Sequence, residues 1–387
     1  MESSSSTHPT KKVAAKFSES ELVRFDHTAA GHDGISSNAS GSLIIKPCTQ
    51  AEIDFYESAK DHPLFQAHMP TFLGSLSEND DQEAVAPLLQ TSQDGVAAPA
   101  AVQGTAPNTV LGLNRRTSWK PSGGQKLSTG LAIVLENVVS GFKHPNVLDV
   151  KLGARLWDDD APLAKRRKLD DVAAKTTSGS LGFRLAGMKV WADSGVEVTP
   201  AEKEYVEVKN GYKSYNKFYG QSFKAENVVD AFETYFGGVS GSRQDDSTTG
   251  KNSRFKSQRA EFLIRRFIRE LESIQYVLEN EESRMYSASV LMVYEGDPET
   301  LEASIVKEED EDARDAGDGD NEDNEEDEDE DDNDDDDDED VRPHKVHEVR
   351  LIDFAHARWT PGDGPDQNVL AGIRSLLRIL RDLVKGD

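Results

Sequence analysis

The chain has 387 residues, of which 36% are hydrophobic, so it can bury a sizeable core as one two-lobed domain or as two ordinary domains. No stretch has the roughly 18 apolar residues of a membrane-spanning helix, and residues 1–7 lack the apolar stretch of a secretory signal. A single cysteine, Cys48, excludes an internal disulfide and a multi-cysteine zinc site, and we expect a reducing location, in the nucleus and the cytoplasm.

An acidic tract, residues 308–340, holds most of the net charge of −28. It contains 25 Asp and Glu and one Arg, a net −24, which leaves −4 for the rest of the chain. A nearly neutral folded part can keep the local positive potential that a polyanionic substrate needs. Like charges this dense repel each other, so we expect a disordered acidic loop over 306–343. It serves either as an insertion without a catalytic role or as a contact for nuclear proteins.

The first part of the chain is predicted to form one lobe over residues 19–139. A disordered segment, residues 1–18, rich in Ser, Thr and Lys, precedes it. Residues 77–110 mix acidic residues with Ala, Gln, Pro and Gly, and this composition indicates a disordered insertion within the lobe. The second lobe is predicted over residues 140–387.

A short apolar strand carries Lys46 near its end, after a glycine-bearing turn at residues 29–34. Such a turn lets backbone approach phosphates, and a lysine on the strand can reach the α- and β-phosphates of a nucleotide. A hairpin with a surface lysine has the same pattern. The next helix is predicted to begin at a capping box formed by Thr49 and Glu52, and either Glu52 or Glu57 could orient Lys46 through an ion pair.

The central stretch, residues 145–153, reads P-x-x-x-D-x-K-x-G on an apolar, β-branched strand. Asp149 and Lys151 are two residues apart, so the alternation of a strand points both side chains to one face. An acid and a base placed in this way suit a site for a phosphorylated ligand, whereas an ion pair on an exposed strand face has the same pattern. A buried strand over residues 131–135 precedes this stretch.

Four consecutive cations lie in a segment that is predicted to be a short helix after that strand: Lys165, Arg166, Arg167 and Lys168. This basic run matches a nuclear import signal, and on a helix it would also present two or more cations to a phosphorylated ligand. The two uses are compatible. Lys175 is a further candidate on the same segment.

The C-terminal part contains a second carboxylate on a strand, Asp353 in Leu-Ile-Asp-Phe. A carboxylate on rigid backbone suits Mg²⁺ between phosphates, so Asp353 is the predicted metal ligand. His356, three residues later, could contact substrate, although a lone histidine is more often structural. The chain ends in a helix predicted over residues 368–384, with an apolar stripe at helical spacing.

These motifs resemble the inositol polyphosphate kinase family, whose signature is the P-x-x-x-D-x-K-x-G pattern. The resemblance includes, in the order of the family, Ala-Ala-Gly-His at residues 29–32, Leu-Ile-Ile-Lys-Pro at 43–47, Ile-Asp-Phe-Tyr-Glu at 53–57 and Leu-Ile-Asp-Phe-Ala-His at 351–356. It covers most of residues 20–300 and 345–387. The N-terminal elements are most similar to the multikinase branch, of the fungal type with an acidic tract.

The resemblance implies an α+β fold with two lobes, similar to protein kinases and ATP-grasp enzymes, with ATP and Mg²⁺ as cofactors. The nucleotide-binding residues that it implies are Lys46, Glu136, Val138, Asp149 and Asp353, and adenine would bind the main chain of Glu136 and Val138 at the hinge. The implied catalytic residues are Asp149, Lys151 and Asp353. The implied substrate-binding residues are Lys151, Lys165, Arg166, Arg167, Lys168, Lys217 and His356, with an inositol-phosphate-binding segment over residues 160–178.

The implied function is an ATP-dependent kinase that converts inositol 1,4,5-trisphosphate to the tetrakis- and pentakisphosphate at the 3- and 6-hydroxyls, with a phosphoinositide lipid as a further candidate substrate. One alternative is an inositol hexakisphosphate kinase, since Thr-Ser-Gly-Ser-Leu-Gly at residues 177–182 is similar to that branch. Another is a nuclear, transcription-associated scaffold that uses the acidic tract. We expect a monomer that does not bind nucleic acid directly.

Overall fold

The computed structural model describes residues 22–25, 29, 34–77, 129–192, 198–199, 202–237, 258–317 and 345–385. Of the predicted disordered segments 1–18, 77–110 and 306–343, residues 1–18, 78–110 and 318–343 lie outside the described residues, as do residues 30–33 of the glycine-bearing turn. Ser77, in contrast, is the last residue of a strand. Within the described ranges, no helix is long and apolar enough to cross a bilayer.

The first sheet has five antiparallel strands in the order β1-β2-β3-β5-β4. They are β1 (Val23–Arg24), β2 (Ser36–Ser37), β3 (Leu43–Pro47), β4 (Phe72–Ser77) and β5 (Leu131–Glu136). Between β3 and β4 lie α1 (Gln50–Ser58), a 3₁₀ turn (Ala59–Asp61) and α2 (Pro63–Gln66). Strand β3 pairs with β2 on one side and with β5 on the other, so the backbone of Lys46 is fixed within the sheet.

The second sheet has six antiparallel strands in the order β12-β11-β6-β7-β9-β8, and β10 pairs with β13 beside it. The strands are β6 (Pro145–Leu152), β7 (Phe183–Trp191), β8 (Val206–Lys209), β9 (Tyr212–Tyr215), β10 (Ser283–Met285), β11 (Ser289–Glu295), β12 (His347–Ile352) and β13 (Ala357–Trp359). Strand β6, which carries the central motif, lies between β11 and β7. The predicted lobe boundary at residue 139 falls between β5 and β6.

The helices of the second part surround this sheet. They are α3 (Leu163–Lys175), α4 (Thr177–Leu181), α5 (Lys217–Ser222), α6 (Val229–Phe236), α7 (Gln258–Asn280), α8 (Pro298–Gly317) and α9 (Gln367–Lys385). One hydrophobic core includes residues of both sheets. Phe55 of α1 stacks on Phe354 at 4.9 Å and on Trp359 at 4.8 Å, so helix α1 of the first lobe packs on the segment around β13.

Residues 306–317, the first part of the predicted acidic loop, belong to helix α8. The start of this helix packs on the core through Leu301 and Ile305. Its carboxylates also find partners on α7, where Glu302 pairs with Arg259 at 2.7 Å and Glu308 pairs with Arg266. Apolar packing and these ion pairs offset the repulsion between like charges, which was the basis of the wrong prediction.

Candidate active site

A cleft with about 720 Å³ of empty volume, open solvent at its mouth included, lies between the two sheets. Its apolar walls come from both lobes and include Ile44, Leu135, Val138, Val147, Leu291 and Ile352. Three charged residues line it as well: Lys46, Asp149 and Asp353. An apolar cleft with a few convergent charges is the usual form of a small-molecule site.

The cation of the cleft, Lys46, is held between two carboxylates. Its Nζ lies 2.9 Å from Glu52 Oε1 and 2.6 Å from Asp353 Oδ1. Burial alone would lower the pKa of Lys46, but the charges of Asp353 and Glu52 outweigh it and hold that pKa well above its ordinary value. Lys46 is therefore charged at neutral pH, and of the two carboxylates that the sequence offered, Glu52 is its partner.

Helix α1 places Glu52 for this contact. The side chain of Thr49 accepts a hydrogen bond from the amide of Glu52, as the capping box predicts, and α1 begins at the next residue, Gln50. Glu52 is 1% exposed, so its carboxylate has exchanged water for the ammonium of Lys46. The capping residue thus fixes the register that brings this carboxylate to strand β3.

The second lysine of the site, Lys151, is held by backbone of unusual conformation. Its Nζ donates to the carbonyl of Ser287 at 2.8 Å and lies 3.9 Å from Asp353 Oδ2. Both Ser287 (φ 63°) and Asp353 (φ 69°) are in the left-handed region, which non-glycine residues adopt only at a cost. The surrounding fold keeps these two strained residues, and both of them contact the same ammonium group.

Asp149 lies on the same face of β6 as Lys151, as the alternation predicts, and it is 4% exposed. On the neighbouring strand, Asp149 pairs with Gly187 and Val150 pairs with Leu185, so β7 has an irregular register here. The charge of Asp149 also acts on Arg184 of β7, whose pKa is lowered by burial and raised by this carboxylate. Because Asp149 is buried, the alternative of an ion pair on an exposed strand face does not apply to it.

Steric crowding explains why the motif ends in glycine. Gly153 has φ 92°, and a Cβ at this position would lie 2.4 Å from Nδ2 of Asn368. Asn368 in turn accepts hydrogen bonds from the amides of Ala154 and Arg155 through Oδ1. The end of β6 is therefore tied to the start of α9, and only glycine fits at the junction.

The connection between the lobes contains the predicted hinge residues. The side chain of Glu136 accepts hydrogen bonds from the hydroxyl of Thr71 (2.8 Å) and from its amide (3.3 Å). The pKa of Glu136 is raised by burial, but these bonds and the charge of Lys345 outweigh that effect and lower it. The amide of Glu136 donates to the carbonyl of Thr71, and Val138 lines the cleft.

The basic run lies on α3, as predicted, and its first residue is the one nearest His356. The imidazole of His356 pairs with Asp158 through Nδ1, and the charges of Asp158 and Lys165 both act on that ring. Burial lowers the pKa of His356, and Lys165 adds to this effect while Asp158 opposes it. Burial also lowers the pKa of Lys165. Lys165, Asp158 and His356 therefore form a group of neighbouring charges.

The other cations of the run have different surroundings. Arg166 folds back on its own loop, where Nε donates to the carbonyl of Ala161 at 2.7 Å and the guanidinium lies 4.7 Å from the ring of Trp157. Arg167 and Lys168 are exposed. On a helix with 3.6 residues per turn, Arg167 is about 200° from Lys165, so the two side chains point in opposite directions.

Lys217 lies on a separate element, at the first position of α5, and it is exposed. Its Nζ is 5.3 Å from the ring centroid of Phe218. Helix α5 packs closely on β7, since a Cβ on Gly220 would lie 2.1 Å from the carbonyl oxygen of Leu185. The structure therefore brings Lys46, Asp149 and Asp353 together in the cleft and Lys151 into contact with Asp353, whereas it leaves Lys217 at the surface of the second lobe.

The carboxylates of Asp149 and Asp353 suit a divalent cation, because both line the cleft and carboxylate oxygen is the ligand that Mg²⁺ prefers. Among the residues that the structure describes, no group of three or more His, Cys, Asp or Glu side chains could hold a metal alone. A Mg²⁺ site with one or two carboxylates, completed by nucleotide phosphates, agrees with that finding.

Three residues around the site could not be identified from the sequence. Asp158 is one of three successive aspartates, and no local pattern shows that it meets His356, about 200 residues later. Ser287 adopts a left-handed conformation that serine rarely adopts, and Arg184 is near enough to the charge of Asp149 only because β7 pairs with β6. Their contacts come from tertiary structure, so a single sequence carries no signal for them.

Comparisons with known proteins identify relatives of this chain. A family profile described as inositol polyphosphate kinase matches residues 132–381. The inositol polyphosphate multikinase of Saccharomyces cerevisiae is 36% identical to this chain over 374 residues, which are 92% of this chain and 96% of that protein. The human inositol hexakisphosphate kinase 3 is 28% identical over 265 residues, 66% of this chain and 52% of that protein.

Among solved structures, a crystal structure of the inositol phosphate multikinase Ipk2 from S. cerevisiae, in complex with ADP and Mn²⁺, is similar to this one. The match covers 89% of this chain and 100% of that chain, with 29% identity and a TM-score of 0.56. The predicted α+β, two-lobed, kinase-like fold is confirmed by this likeness.

Proposed function

The chain belongs to the inositol polyphosphate kinase family, and from this premise we propose that it transfers a phosphoryl group from ATP, with a divalent cation, to inositol 1,4,5-trisphosphate. The proposed products are the tetrakisphosphate and then the pentakisphosphate, formed at the 3- and 6-hydroxyls. Kinase activity on inositol phosphates follows from the family, whereas the substrate, the hydroxyls and the roles of the residues are our proposal.

The nucleotide would occupy the cleft between the sheets. The apolar walls suit the adenine ring, and the carbonyl of Glu136 and the amide of Val138 are the groups that would bind its edge. Lys46 would contact the phosphates, since its ammonium is charged and already fixed by Glu52 and Asp353. A similar enzyme in complex with ADP and Mn²⁺ supports the use of a nucleotide and a divalent cation.

Asp353, together with Asp149, would hold the cation against the phosphates. When bound, Mg²⁺ neutralises charge that develops on the transferred group. Asp353 also fixes the two lysines, since one of its oxygens faces Lys46 and the other faces Lys151. Asp149 lies at the cleft wall, where we place the ribose and the accepting hydroxyl.

Lys151 is the residue that we place at the accepting side of the transfer. Its ammonium is held by the Ser287 carbonyl and by Asp353, so its position does not depend on the ligand. A cation positioned in advance stabilises charge that develops in the transition state without reorganisation. Lys151 would therefore act on the rate of transfer, and it would also contact a substrate phosphate.

The inositol phosphate would extend from the cleft toward α3, along segment 160–178. Lys165 is the best placed cation of the basic run, because it neighbours His356, and His356 follows Asp353 by three residues. Arg166 is engaged by its own loop, and Arg167 points away from Lys165, so we expect smaller contributions from these two. Lys168 and Lys217 are exposed and would contact outer phosphates.

One observation carries the proposal: Lys46, Asp149 and Asp353, from three distant parts of the sequence, line one apolar cleft, and Lys151 reaches Asp353 from beside it. The test is incubation of the purified protein with ATP, Mg²⁺ and inositol 1,4,5-trisphosphate, with products resolved by anion exchange and their phosphorylated positions assigned by NMR. Tetrakisphosphate followed by pentakisphosphate, modified at the 3- and 6-hydroxyls, is expected. Conversion of inositol hexakisphosphate alone would favour the alternative branch of the family instead.

We also propose a nuclear as well as a cytoplasmic location, with the basic run as import signal. The exposure of Arg167 and Lys168 supports it, because an import receptor needs accessible cations. A fluorescent fusion should lose nuclear accumulation when these two residues are replaced by alanine, and unchanged accumulation would contradict the assignment.

A further inference from the structure

A second cationic surface lies on the side of the second lobe formed by α7 and α9. Here the first half of α7 and the end of α9 border a groove with about 980 Å³ of empty volume, open solvent included. Its polar lining consists of five cations, Arg265, Arg266, Arg269, Arg381 and Lys385, and Phe262 forms part of its apolar floor. None of these residues belongs to the cleft or to α3, so the groove is separate from the proposed catalytic machinery.

The cations of this groove are only weakly engaged. Arg265 pairs with Glu261 at 2.6 Å, Arg381 with Glu272 at 2.6 Å and Lys385 with Asp382 at 3.7 Å. These side chains are 44–72% exposed, and ion pairs so exposed contribute little to stability. The three cations can therefore exchange their present partners for other carboxylates. Arg269 has no ion-pair partner within the described ranges.

One cation of the groove already binds the acidic tract. Arg266 pairs with Glu308, the first residue of the tract, which reaches α7 from helix α8. Arg266 is 16% exposed and its guanidinium lies 4.7 Å from the ring centroid of Phe262, so this contact is held at the edge of the groove. The tract therefore begins against the groove.

The chain also returns to the same place. His347, the first residue of β12, has its ring 5.5 Å from that of Phe267 on α7. The charges of Arg266, Arg269 and Arg350 all act on His347. The stretch 318–344 connects α8 to the segment before β12, and Glu308 of α8 and His347 of β12 both lie near cations of the groove. The 27 residues of this stretch can span up to about 90 Å, which is ample to reach every cation of the groove.

We propose that the groove between α7 and α9 is an intramolecular docking surface for the chain's own acidic tract, residues 318–340. This part of the tract has 19 Asp and Glu among 23 residues and no basic residue, which complements the five cations. A tethered segment acts at an effective concentration of about millimolar, so it outcompetes most polyanions from solution. The role is separate from catalysis, and its test does not depend on turnover.

The experiment uses the full chain and a variant in which residues 318–340 are replaced by a Gly/Ser linker of equal length. A fluorescein-labelled peptide of residues 318–340 is the probe, and its binding is measured by fluorescence anisotropy. The linker variant should bind the peptide. The intact chain should bind it more weakly, by at least about tenfold, because its own tract occupies the groove. Raised salt should weaken the binding, since the contacts are exposed ion pairs.

Charge-reversal variants test whether the groove is the surface that binds the peptide. In the linker variant, Arg269→Glu with Lys385→Glu should weaken peptide binding by about tenfold. The matched control, Lys60→Glu with Lys209→Glu, reverses two exposed lysines elsewhere and should leave binding within about twofold. Both replaced pairs are on the surface, and equal melting temperatures would verify that the fold is intact.

Three results would overturn the proposal. Equal binding to the intact chain and to the linker variant would mean that the groove is open to an external polyanion rather than filled by the tract. Absence of binding to the linker variant would mean that the groove does not accept this segment. Peptide binding that is unchanged by Arg269→Glu with Lys385→Glu, but lost on Lys165→Glu with Lys168→Glu, would place the tract on α3.

A second measurement addresses the intact chain directly. Carbodiimide joins lysine amines to carboxylates in contact, so Lys385 should be cross-linked to residues 318–340 in the intact chain and identified by mass spectrometry. Lys60 is also exposed but does not line the groove, so it should not be cross-linked to them. A cross-link pattern that favours Lys60 over Lys385, or that involves neither, would contradict the docking.

Discussion

The cations at the cleft differ from those in the basic run of α3, because the former are held by several contacts whereas two of the latter are exposed. Lys46 has two carboxylates within 2.9 Å, and Lys151 is held by a carbonyl at 2.8 Å. On α3, by contrast, Arg167 and Lys168 are exposed. A cation that is already positioned stabilises the transition state, whereas an exposed side chain must first be ordered by the ligand.

This difference predicts separate kinetic roles. Residues of the cleft should mainly determine kcat, because their geometry is set before substrate binds. Residues of α3 should mainly determine the KM for the inositol phosphate, because their charge attracts it without acting on the reacting atoms. Variants in each region can break or sharpen this distinction.

The largest effect is expected for Lys46→Met. It removes the cation that Glu52 and Asp353 share, so kcat should fall by about a thousandfold and the melting temperature should decrease, since two carboxylates lose their partner. Adding Glu52→Gln removes one of the two carboxylate charges that have lost Lys46. The double variant should therefore recover part of the melting temperature but none of the activity, as steady-state kinetics and thermal unfolding would show.

The control for Lys46→Met is Lys60→Met, which replaces an exposed lysine of the same lobe and should change neither kcat nor the melting temperature. If Lys46→Met kept kcat within tenfold of the parent, Lys46 would not act in the transfer, and the distinction between the two regions would not hold.

A smaller effect is expected for Lys165→Ala, which should raise the KM for the inositol phosphate about tenfold, as loss of one charge-assisted contact does. The kcat and the KM for ATP should change little. Arg167→Ala is its match on the same helix, and it should alter KM by less than about twofold because its side chain points away. Equal effects of the two replacements, measured by initial rates, would show that the helix face does not matter.

The smallest effect is a pH dependence at His356, where the two regions meet. Burial lowers the pKa of His356; Lys165 adds to this, and Asp158 and Glu52 oppose it. As pH falls below about 6.5, the unfolded chain binds the proton before the folded protein does, so the free energy of unfolding decreases. The variant His356→Gln lacks this pH-dependent contribution to the free energy of unfolding.

Denaturant unfolding between pH 7.5 and 5 would measure that difference. The stability of the parent should decrease more steeply with acid than that of His356→Gln. Parallel curves would show that His356 titrates alike in the folded and unfolded states, contrary to its buried position beside Asp158.

Much of the fold followed from the sequence where a local pattern was sufficient. The capping box at Thr49 marked the start of α1, and the alternation in residues 145–153 placed Asp149 and Lys151 on one face of β6. Residues 306–317 were assigned to a loop because of their charge, yet they form the end of α8. There, packing of the preceding turns on the core decided the outcome, and local charge did not.

The site was predictable in its residue types but not in its contacts. Nothing local distinguishes Glu52 from Glu57 as the partner of Lys46, because the choice depends on how α1 faces β3. The left-handed conformation of Ser287 and the pairing of Asp158 with His356 arise from segments far apart in the chain. Such contacts depend on tertiary packing, which the pattern of a single sequence does not contain.

We propose above all that Lys151, held in advance by Ser287 and Asp353, acts in phosphoryl transfer to an inositol phosphate. The most direct measurement compares Lys151→Ala with Lys209→Ala, a lysine of β8 in the same sheet, for formation of tetrakis- and pentakisphosphate from inositol 1,4,5-trisphosphate and ATP. We expect product formation to fall by about a hundredfold or more in Lys151→Ala, while thermal unfolding shows that the variant is still folded, and to remain normal in Lys209→Ala. Turnover by Lys151→Ala at the rate of the parent would contradict the account.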